Sequence, residues 1–126
     1  MPPRTSATLT EAELRLMEVL WQKGACTVQL IVDSLPGNLP LAYNSVLTTI
    51  RILEKKGYVS HEKDGRAHVY SPVVNRREAA RSEIRNVVRR MFSDSHELLL
   101  LNVLEEQQID LAEIERLRQM LKGKGE

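Results

Sequence analysis

The sequence predicts a mostly α-helical protein with one small β-hairpin. Apolar residues recur at helical spacing from Leu14 to Lys56 and again after Asn75. Between these regions the apolar period changes to two on both sides of Asp64-Gly65, and Asp-Gly between β-prone runs is the strongest short signal for a hairpin. The predicted order is therefore three helices, a hairpin and three more helices.

Local capping signals set the boundaries of the first three helices. Thr10 and Glu13 form a capping box, in which each side chain accepts a hydrogen bond from the other residue's backbone N–H. Thr27 is placed to cap the second helix, and Gly57 is placed for a left-handed end to the third. The predicted helices begin at Thr10, Thr27 and about Leu41, and they end at Gly24, Pro36-Gly37-Asn38 and Gly57.

Three short amphipathic helices are predicted after Asn75, and Asp110 with Glu113 forms a capping box for the last of them. Segments this short cannot bury so much apolar surface alone, so we expect a second copy of the chain to cover it. Packing onto the N-terminal half is the alternative. The apolar stripe of the first of these helices comprises Ala80, Ile84, Val87, Val88, Met91 and Phe92. The predicted dimerisation residues are Ile84, Val88, Met91, Leu98, Leu101, Leu104, Ile114, Leu117 and Leu121.

The composition is that of an ordered globular chain. With 126 residues, 42% hydrophobic and 28% charged, the protein is long enough for one domain, or one domain with a small appendage. A single cysteine, Cys26, excludes an internal disulfide framework and a cysteine-cluster metal site. No stretch approaches the ~18 apolar residues that span a membrane, and the first residues lack the apolar core of a signal peptide. We therefore expect a protein of the cytoplasm without membrane insertion.

Charge is segregated along the chain, although the net charge is only +1. Eight basic and four acidic residues between Tyr43 and Arg81 give that stretch +4, whereas Ser93 to Glu115 contains seven acids and no Lys or Arg. A basic middle suits contact with a polyanion, and an acidic end would be repelled by the same polyanion. The alternative is an uneven scatter of charge without function.

The third predicted helix has an outer face that is polar and basic but not acidic. Val46, Ile50 and Leu53 fall on one narrow stripe, and the opposite face carries Asn44, Thr48, Arg51 and Lys55. Asn pairs with adenine, Arg pairs with guanine, and Thr meets a phosphate or a thymine methyl group. A solvated helix face is the alternative interpretation.

Helices in this order, followed by a hairpin, predict a winged helix-turn-helix, in which the third helix enters the major groove of DNA. Charged residues at the hairpin tip then reach the flanking phosphates, although charged residues also favour turns without such a role. The candidate DNA-binding residues are Asn44, Ser45, Thr48, Arg51, Lys55, Lys63 and Arg66.

Motifs for catalysis are missing from the sequence, so we expect neither an enzyme nor a bound cofactor. The chain has no Gly-rich phosphate loop, no G-x-S-x-G and no H-E-x-x-H. His61 and His68 are predicted to lie opposite one another across the hairpin, but two histidines leave a zinc site short of ligands. Cys26 lies between apolar stretches and is expected to be a small buried residue rather than a nucleophile.

These features together resemble the penicillinase repressor family of the BlaI/MecI type, over about Leu9 to Lys122. The order and spacing of the motifs carry the resemblance, since no single motif is diagnostic. The motifs are Leu9-Thr-Glu-Ala-Glu-Leu14, Val19-Leu-Trp21, Ala42-Tyr-Asn-Ser-Val-Leu-Thr-Thr-Ile50, Leu53-Glu-Lys-Lys-Gly57, Arg66-Ala-His-Val-Tyr-Ser-Pro72, Leu99-Leu-Leu-Asn102 and Glu113-Ile-Glu-Arg-Leu-Arg118.

The resemblance implies a homodimeric transcriptional repressor that binds a dyad operator in double-stranded DNA. In relatives a membrane sensor of β-lactams leads to proteolysis of the C-terminal domain, at an Asn-Phe bond in the members cut there. The matching bond here is Asn102-Val103. The copper-responsive branch has C-terminal Cys-x-Cys motifs, which this chain lacks.

The predicted organisation is a flexible arm at residues 1–9, a winged helix-turn-helix at residues 10–74 and a helical dimerisation domain at residues 75–126. The expected partners are an operator duplex, a second copy of the chain and a protease linked to a sensor. A different class of function remains open, namely a protein-interaction adaptor on a winged-helix scaffold that does not bind DNA.

Overall fold

The structure of the protein, a computed structural model, describes residues 8–37 and 41–124. The predicted arm, apart from Thr8 and Leu9, and Asn38 of the predicted break lie outside these residues. The helices are α1 (Glu11–Lys23), α2 (Val28–Ser34), α3 (Tyr43–Lys56), α4 (Arg76–Met91), α5 (His96–Glu106) and α6 (Leu111–Lys124). The strands are β1 (Cys26–Thr27), β2 (Val59–Asp64) and β3 (Ala67–Pro72).

The caps predicted for the first helices are present. The Thr10 hydroxyl accepts from the Glu13 N–H at 3.1 Å, and the Glu13 carboxylate accepts from the Thr10 N–H at 2.8 Å. Thr27 caps α2 through the Leu30 N–H at 3.1 Å. Gly57 ends α3 with φ 89°, a left-handed conformation that glycine adopts at little cost. Helix α3 begins two residues later than the predicted Leu41, after Ala42, which makes no side-chain cap.

A three-stranded antiparallel sheet has the order β1-β3-β2. Asp64 pairs with Ala67, so the turn is Gly65-Arg66, with Gly65 at φ 64°. His61 pairs with Tyr70 rather than with His68, and the prediction that the two histidines lie opposite one another is wrong by two residues. A two-residue strand leaves no periodic signal in a sequence, and β1 was therefore not predicted.

The hydrophobic core lies in the N-terminal part of the chain. All fully buried apolar side chains among the described residues fall between Leu16 and Ala79. They come from α1, α2, α3, the sheet and the first turn of α4, and from the connections at Tyr58 and Val74. The largest are Tyr58, Tyr70, Leu16, Met17, Leu20, Ile31, Ile50, Leu53 and Val46.

The start of α4 belongs to this core. Ala79 is 3% exposed, whereas Ala80, which was predicted to lie in the apolar stripe of this helix, is exposed. The buried stripe is therefore shifted by one residue, a rotation of about 100° around the helix. The correction has a tertiary cause, because Val74 is buried just before the helix and Glu83 accepts from the Leu9 N–H at 2.8 Å. Such contacts select the buried face independently of the apolar pattern.

The chain divides into two compact units, one ending at Asn86 and one beginning at Val87. In the second unit Ser95 caps α5 through the Leu98 N–H at 3.2 Å, and Asp110 caps α6 through the Glu113 N–H at 2.9 Å. No described residue of this unit is fully buried. The unit therefore consists of short helices without a closed core of their own.

Candidate nucleic-acid interface

Helix α3 is oriented by its apolar stripe. Val46, Ile50 and Leu53 are each 0% exposed, so the opposite face of α3 points away from the core. Every predicted DNA-binding residue of this helix is exposed, namely Asn44, Ser45, Thr48, Arg51 and Lys55. The structure thus brings these five side chains together on one surface.

A buried ion pair holds the C-terminal end of α3 against α1. The Lys56 Nζ atom lies 2.8 Å from Oε1 of Glu13, a residue that is only 4% exposed. The same Glu13 oxygen accepts from the Thr10 N–H, so the capping box of α1 and the orientation of α3 share one carboxylate. The capping box has a local signal in the sequence, but this pair does not, because its two residues are 43 positions apart.

Two threonine hydroxyl groups of α3 form hydrogen bonds within the helix. The Thr48 hydroxyl donates to the Asn44 carbonyl at 3.0 Å, and the Thr49 hydroxyl donates to the Ser45 carbonyl at 2.8 Å. The Thr48 oxygen keeps acceptor capacity, and its methyl group is available for apolar contact. Thr48 is therefore suited to apolar contact with a thymine methyl group or to accepting a hydrogen bond from a base. It is not suited to a phosphate, because a phosphate only accepts hydrogen bonds.

Arg51 lies close to the base of the hairpin. Burial raises the pKa of the Tyr70 hydroxyl, Glu54 raises it further, and Arg51 lowers it. The phenol is therefore neutral at physiological pH and leaves the charge of Arg51 uncompensated. The Arg51 guanidinium also hydrogen-bonds to the Tyr70 side chain, and its remaining N–H donors are suited to bidentate contact with guanine.

The hairpin tip carries both of the predicted phosphate-contacting residues. Lys63 is at the end of β2 and Arg66 is in the turn, and both are exposed. The acidic Glu62 and Asp64 lie beside them and are exposed as well. The tip is therefore a set of individual cations rather than a strongly basic patch.

Three rings and one carboxylate join the hairpin to α3. The His61 Nδ1 atom lies 2.6 Å from Oε2 of Glu54. The His61 and His68 rings stack with centroids 4.6 Å apart and planes 13° apart, and the Tyr70 ring lies 5.4 Å from His61. The sequence does not predict this cluster, because the cluster depends on the hairpin register and on the packing of α3.

Two exposed apolar side chains of α3 were also missed. Tyr43 is 46% exposed and Ile52 is 42% exposed. Ile52 lies next to Arg51 on the outer side of the helix, where an apolar group suits a thymine methyl group. The position of Ile52 on the outer side of α3 follows from the helical period of the sequence.

Cys26 is a buried structural residue, as predicted. It is 1% exposed, its thiol lies 3.3 Å from the Gly24 carbonyl oxygen, and burial raises the pKa of the thiol. A thiol with a raised pKa is a poor nucleophile. Within residues 8–37 and 41–124 no group of three His, Cys, Asp or Glu side chains is arranged to hold a metal ion.

The arrangement of the helices and strands of the N-terminal part defines the class of protein. Three helices closed by a small antiparallel sheet, with a hairpin beside an exposed third helix, form a winged helix-turn-helix. The sequence model of the penicillinase repressor family matches residues 9–123, and the chain belongs to that family. The predicted fold class and the predicted resemblance are both confirmed.

Individual relatives agree with this assignment. The chain is 26% identical over 113 residues to the penicillinase repressor of Bacillus licheniformis, covering 90% of this chain and 88% of that one. It is 24% identical over 116 residues to the methicillin resistance regulatory protein MecI of Staphylococcus aureus strain N315, covering 92% and 94%. Since these are regulators, the prediction that the chain is not an enzyme is confirmed.

A solved structure supports the fold of the N-terminal part. The solution structure of the DNA-binding domain of the repressor BlaI matches with a TM-score of 0.53 and 25% identity, covering 60% of this chain and 92% of that domain.

Among the helices of the described residues, none is both long and apolar enough to cross a membrane.

Proposed function

We propose that the chain is a homodimeric, sequence-specific repressor of transcription that binds a dyad operator in double-stranded DNA. One observation carries the proposal: the outer face of α3 presents five exposed polar and basic side chains and no carboxylate. The solvated face of an ordinary helix mixes both signs of charge, whereas a helix face beside the phosphates of the major groove favours cations and neutral polar groups. The adaptor hypothesis gives no reason for that exclusion.

Within this proposal the residues have two roles. Asn44, Ser45, Thr48 and Arg51 contact base edges, and they lie on the part of α3 that enters the groove first. Lys55, Lys63 and Arg66 contact phosphates, because they are exposed cations at the end of α3 and at the hairpin tip. The hairpin (β2, β3 and their turn) is the wing of the fold, and α3 is its recognition helix.

The proposed dimer is formed by the C-terminal segment, residues 75–126. Nine of the fourteen large apolar side chains that are exposed among the described residues lie beyond Asn86. Of the predicted contact residues, Met91, Leu98, Leu101, Leu117 and Leu121 are between 46% and 71% exposed. So much apolar surface without a closed core favours a second copy as its cover.

The structure modifies the expected composition of that surface. Ile84 is 53% exposed, whereas Val88, Leu104 and Ile114 are already partly buried within the single chain. Four further side chains are exposed and join the candidate surface, namely Leu100, Val103, Leu111 and Met120. The proposed dimer therefore uses more of α5 and α6 than the apolar pattern predicted.

Relief of repression by proteolysis belongs to the same proposal and rests on the resemblance to cleaved relatives. The bond in question, Asn102-Val103, lies inside α5, and both residues are exposed. The Asn102 side-chain amide donates to the Leu98 carbonyl at 2.9 Å. Because proteases bind extended chain, α5 must open locally before this bond is cut. The proposal assigns the protein to the cytoplasm, where its operator is.

Footprinting on the DNA upstream of its own gene tests the proposal. We expect two protected half-sites related by a dyad, with centres about 10 base pairs or a multiple of that apart. Fluorescence anisotropy on the protected duplex at several salt concentrations should show affinity falling with salt. Binding to no DNA at any salt concentration would reject the repressor and favour the adaptor.

A further inference from the structure

The recognition helix and the wing are connected by a side-chain contact that the proposed function does not use. Nδ1 of His61, on β2, lies 2.6 Å from Oε2 of Glu54, on α3. These side chains are 34% and 33% exposed, so the contact is at the surface and still partly screened from water. A distance of 2.6 Å is that of a short, charge-assisted hydrogen bond.

A ring stack supports His61 from the other side. His68 stacks on it with centroids 4.6 Å apart, and Tyr70 lies 5.4 Å and 6.4 Å from the two imidazoles. The register explains the cluster, because His61 pairs with Tyr70, and His68 lies two residues from Tyr70 on the same face of the sheet. Since Tyr70 is 2% exposed, the stack is anchored on the core.

His61 is therefore held between the two elements that would touch DNA. Glu54 follows Arg51 by three positions and precedes Lys55, and His61 is two residues before Lys63. A change in the contact changes the distance between the recognition helix and the wing tip. Both elements must keep that distance to reach the groove and the adjoining phosphates together.

We propose that Glu54 and His61 are positioning residues, which with the His68 and Tyr70 rings form a clamp that fixes the wing relative to α3. This inference rests on the proposed DNA-binding function and adds two residues that hold the interface without contacting DNA. Glu54 is unsuited to direct contact, since a carboxylate is repelled by phosphate.

Removing the Glu54 carboxylate distinguishes the clamp from a simple effect of charge, because the two predict opposite changes in the affinity for DNA. Loss of an acid beside DNA strengthens binding through charge alone. The clamp predicts that Glu54→Ala weakens binding to the footprinted duplex by about two- to fivefold, the effect of losing an exposed charged pair. The matched control is Glu62→Ala on the opposite face of β2, which removes the same charge and should bind equally well or more tightly.

Glu54→Gln provides a readout that loss of charge alone would not move. Its side-chain amide keeps an oxygen and an N–H group that can hydrogen-bond to the His61 ring, so Glu54→Gln should bind more tightly than Glu54→Ala, although both variants have lost the same charge. Circular dichroism verifies that all variants are folded.

The outcomes distinguish the two proposals. If wild-type protein shows salt-dependent binding and Glu54→Ala behaves like Glu62→Ala, the clamp is rejected and the repressor stands. If wild-type protein binds neither the footprinted duplex nor a shuffled duplex of equal length, both are rejected. Weaker binding by Glu54→Ala with recovery in Glu54→Gln supports both.

Discussion

Arg51 is the side chain of α3 with the greatest capacity to discriminate between bases. It is exposed, it is always charged, and the neutral phenol of Tyr70 beside it takes none of that charge. Asn44 and Ser45 both lie nearly two turns before it and are exposed without using their side chains in the helix caps. Sequence discrimination should therefore depend first on Arg51.

Replacing Arg51 by Ala should weaken binding to the operator by about 1–3 kcal/mol and relax the choice at one base pair. Anisotropy titrations on duplexes with single base-pair changes measure both effects. Arg81→Ala, which removes the same charge from an exposed position of α4, is the control and should preserve the preference at every position. Weaker binding by Arg51→Ala with unchanged sequence preference would mean that Arg51 contacts only phosphate.

Lys63 should behave differently, because it is an isolated cation at the wing tip. Replacing it by Ala should weaken binding to all duplexes alike and reduce the slope of log affinity against log salt by about 1. Titrations on the operator and on a shuffled duplex, each at several salt concentrations, give the two slopes. Lys122→Ala, an equal loss of charge in α6, should leave the slopes unchanged. An unaltered slope for Lys63→Ala would show that the wing does not touch phosphate.

Secondary-structure elements differ in how far the sequence predicts them. The ends of α1 and α2 and the hairpin were predicted because their causes are local: a capping box, a Thr cap and an Asp-Gly turn. Strand β1 and the buried face at Ala79 were missed or wrong, because each is selected by contacts distant in sequence. The hairpin register was wrong because the two-residue turn falls at Gly65-Arg66, one residue later than the Asp-Gly signal. The candidate site divides in the same way. Its exposed helix face follows from periodicity, whereas the Glu54–His61 contact follows from packing.

The orientation of α3 against α1 depends on the buried pair of Glu13 and Lys56. Glu13→Ala removes one bond of the capping box and leaves the Lys56 ammonium without its carboxylate, so it should lower the free energy of unfolding by about 2–4 kcal/mol. Urea denaturation measures this change. Glu11→Ala, whose side chain is 82% exposed in the same helix turn, should cost less than about 0.5 kcal/mol. Equal effects of the two substitutions would show that the pair does not hold α3.

Charge is distributed unevenly along the chain as a whole. The net charge of +1 combines a stretch of +4 from Tyr43 to Arg81, which contains α3 and the wing, with seven acids and no Lys or Arg from Ser93 to Glu115. An acidic C-terminal segment lowers the affinity for DNA in general. We therefore expect specific binding to come from two recognition helices engaging two half-sites at once, so that repression would require the proposed dimer.

That requirement can be tested in the full-length chain. Leu101 and Leu117 are 51% and 50% exposed, so replacing both by Glu costs little in a lone chain but buries two unpaired charges in a dimer. We expect the double variant to be monomeric by analytical ultracentrifugation and to bind the operator about 100-fold more weakly, because the bivalent gain is lost. Gln107→Glu with Gln119→Glu adds the same charge at exposed polar positions of the same segment and should remain dimeric. A double leucine variant that stays dimeric would move the interface away from α5 and α6, and a monomeric wild-type protein would overturn the dimer itself.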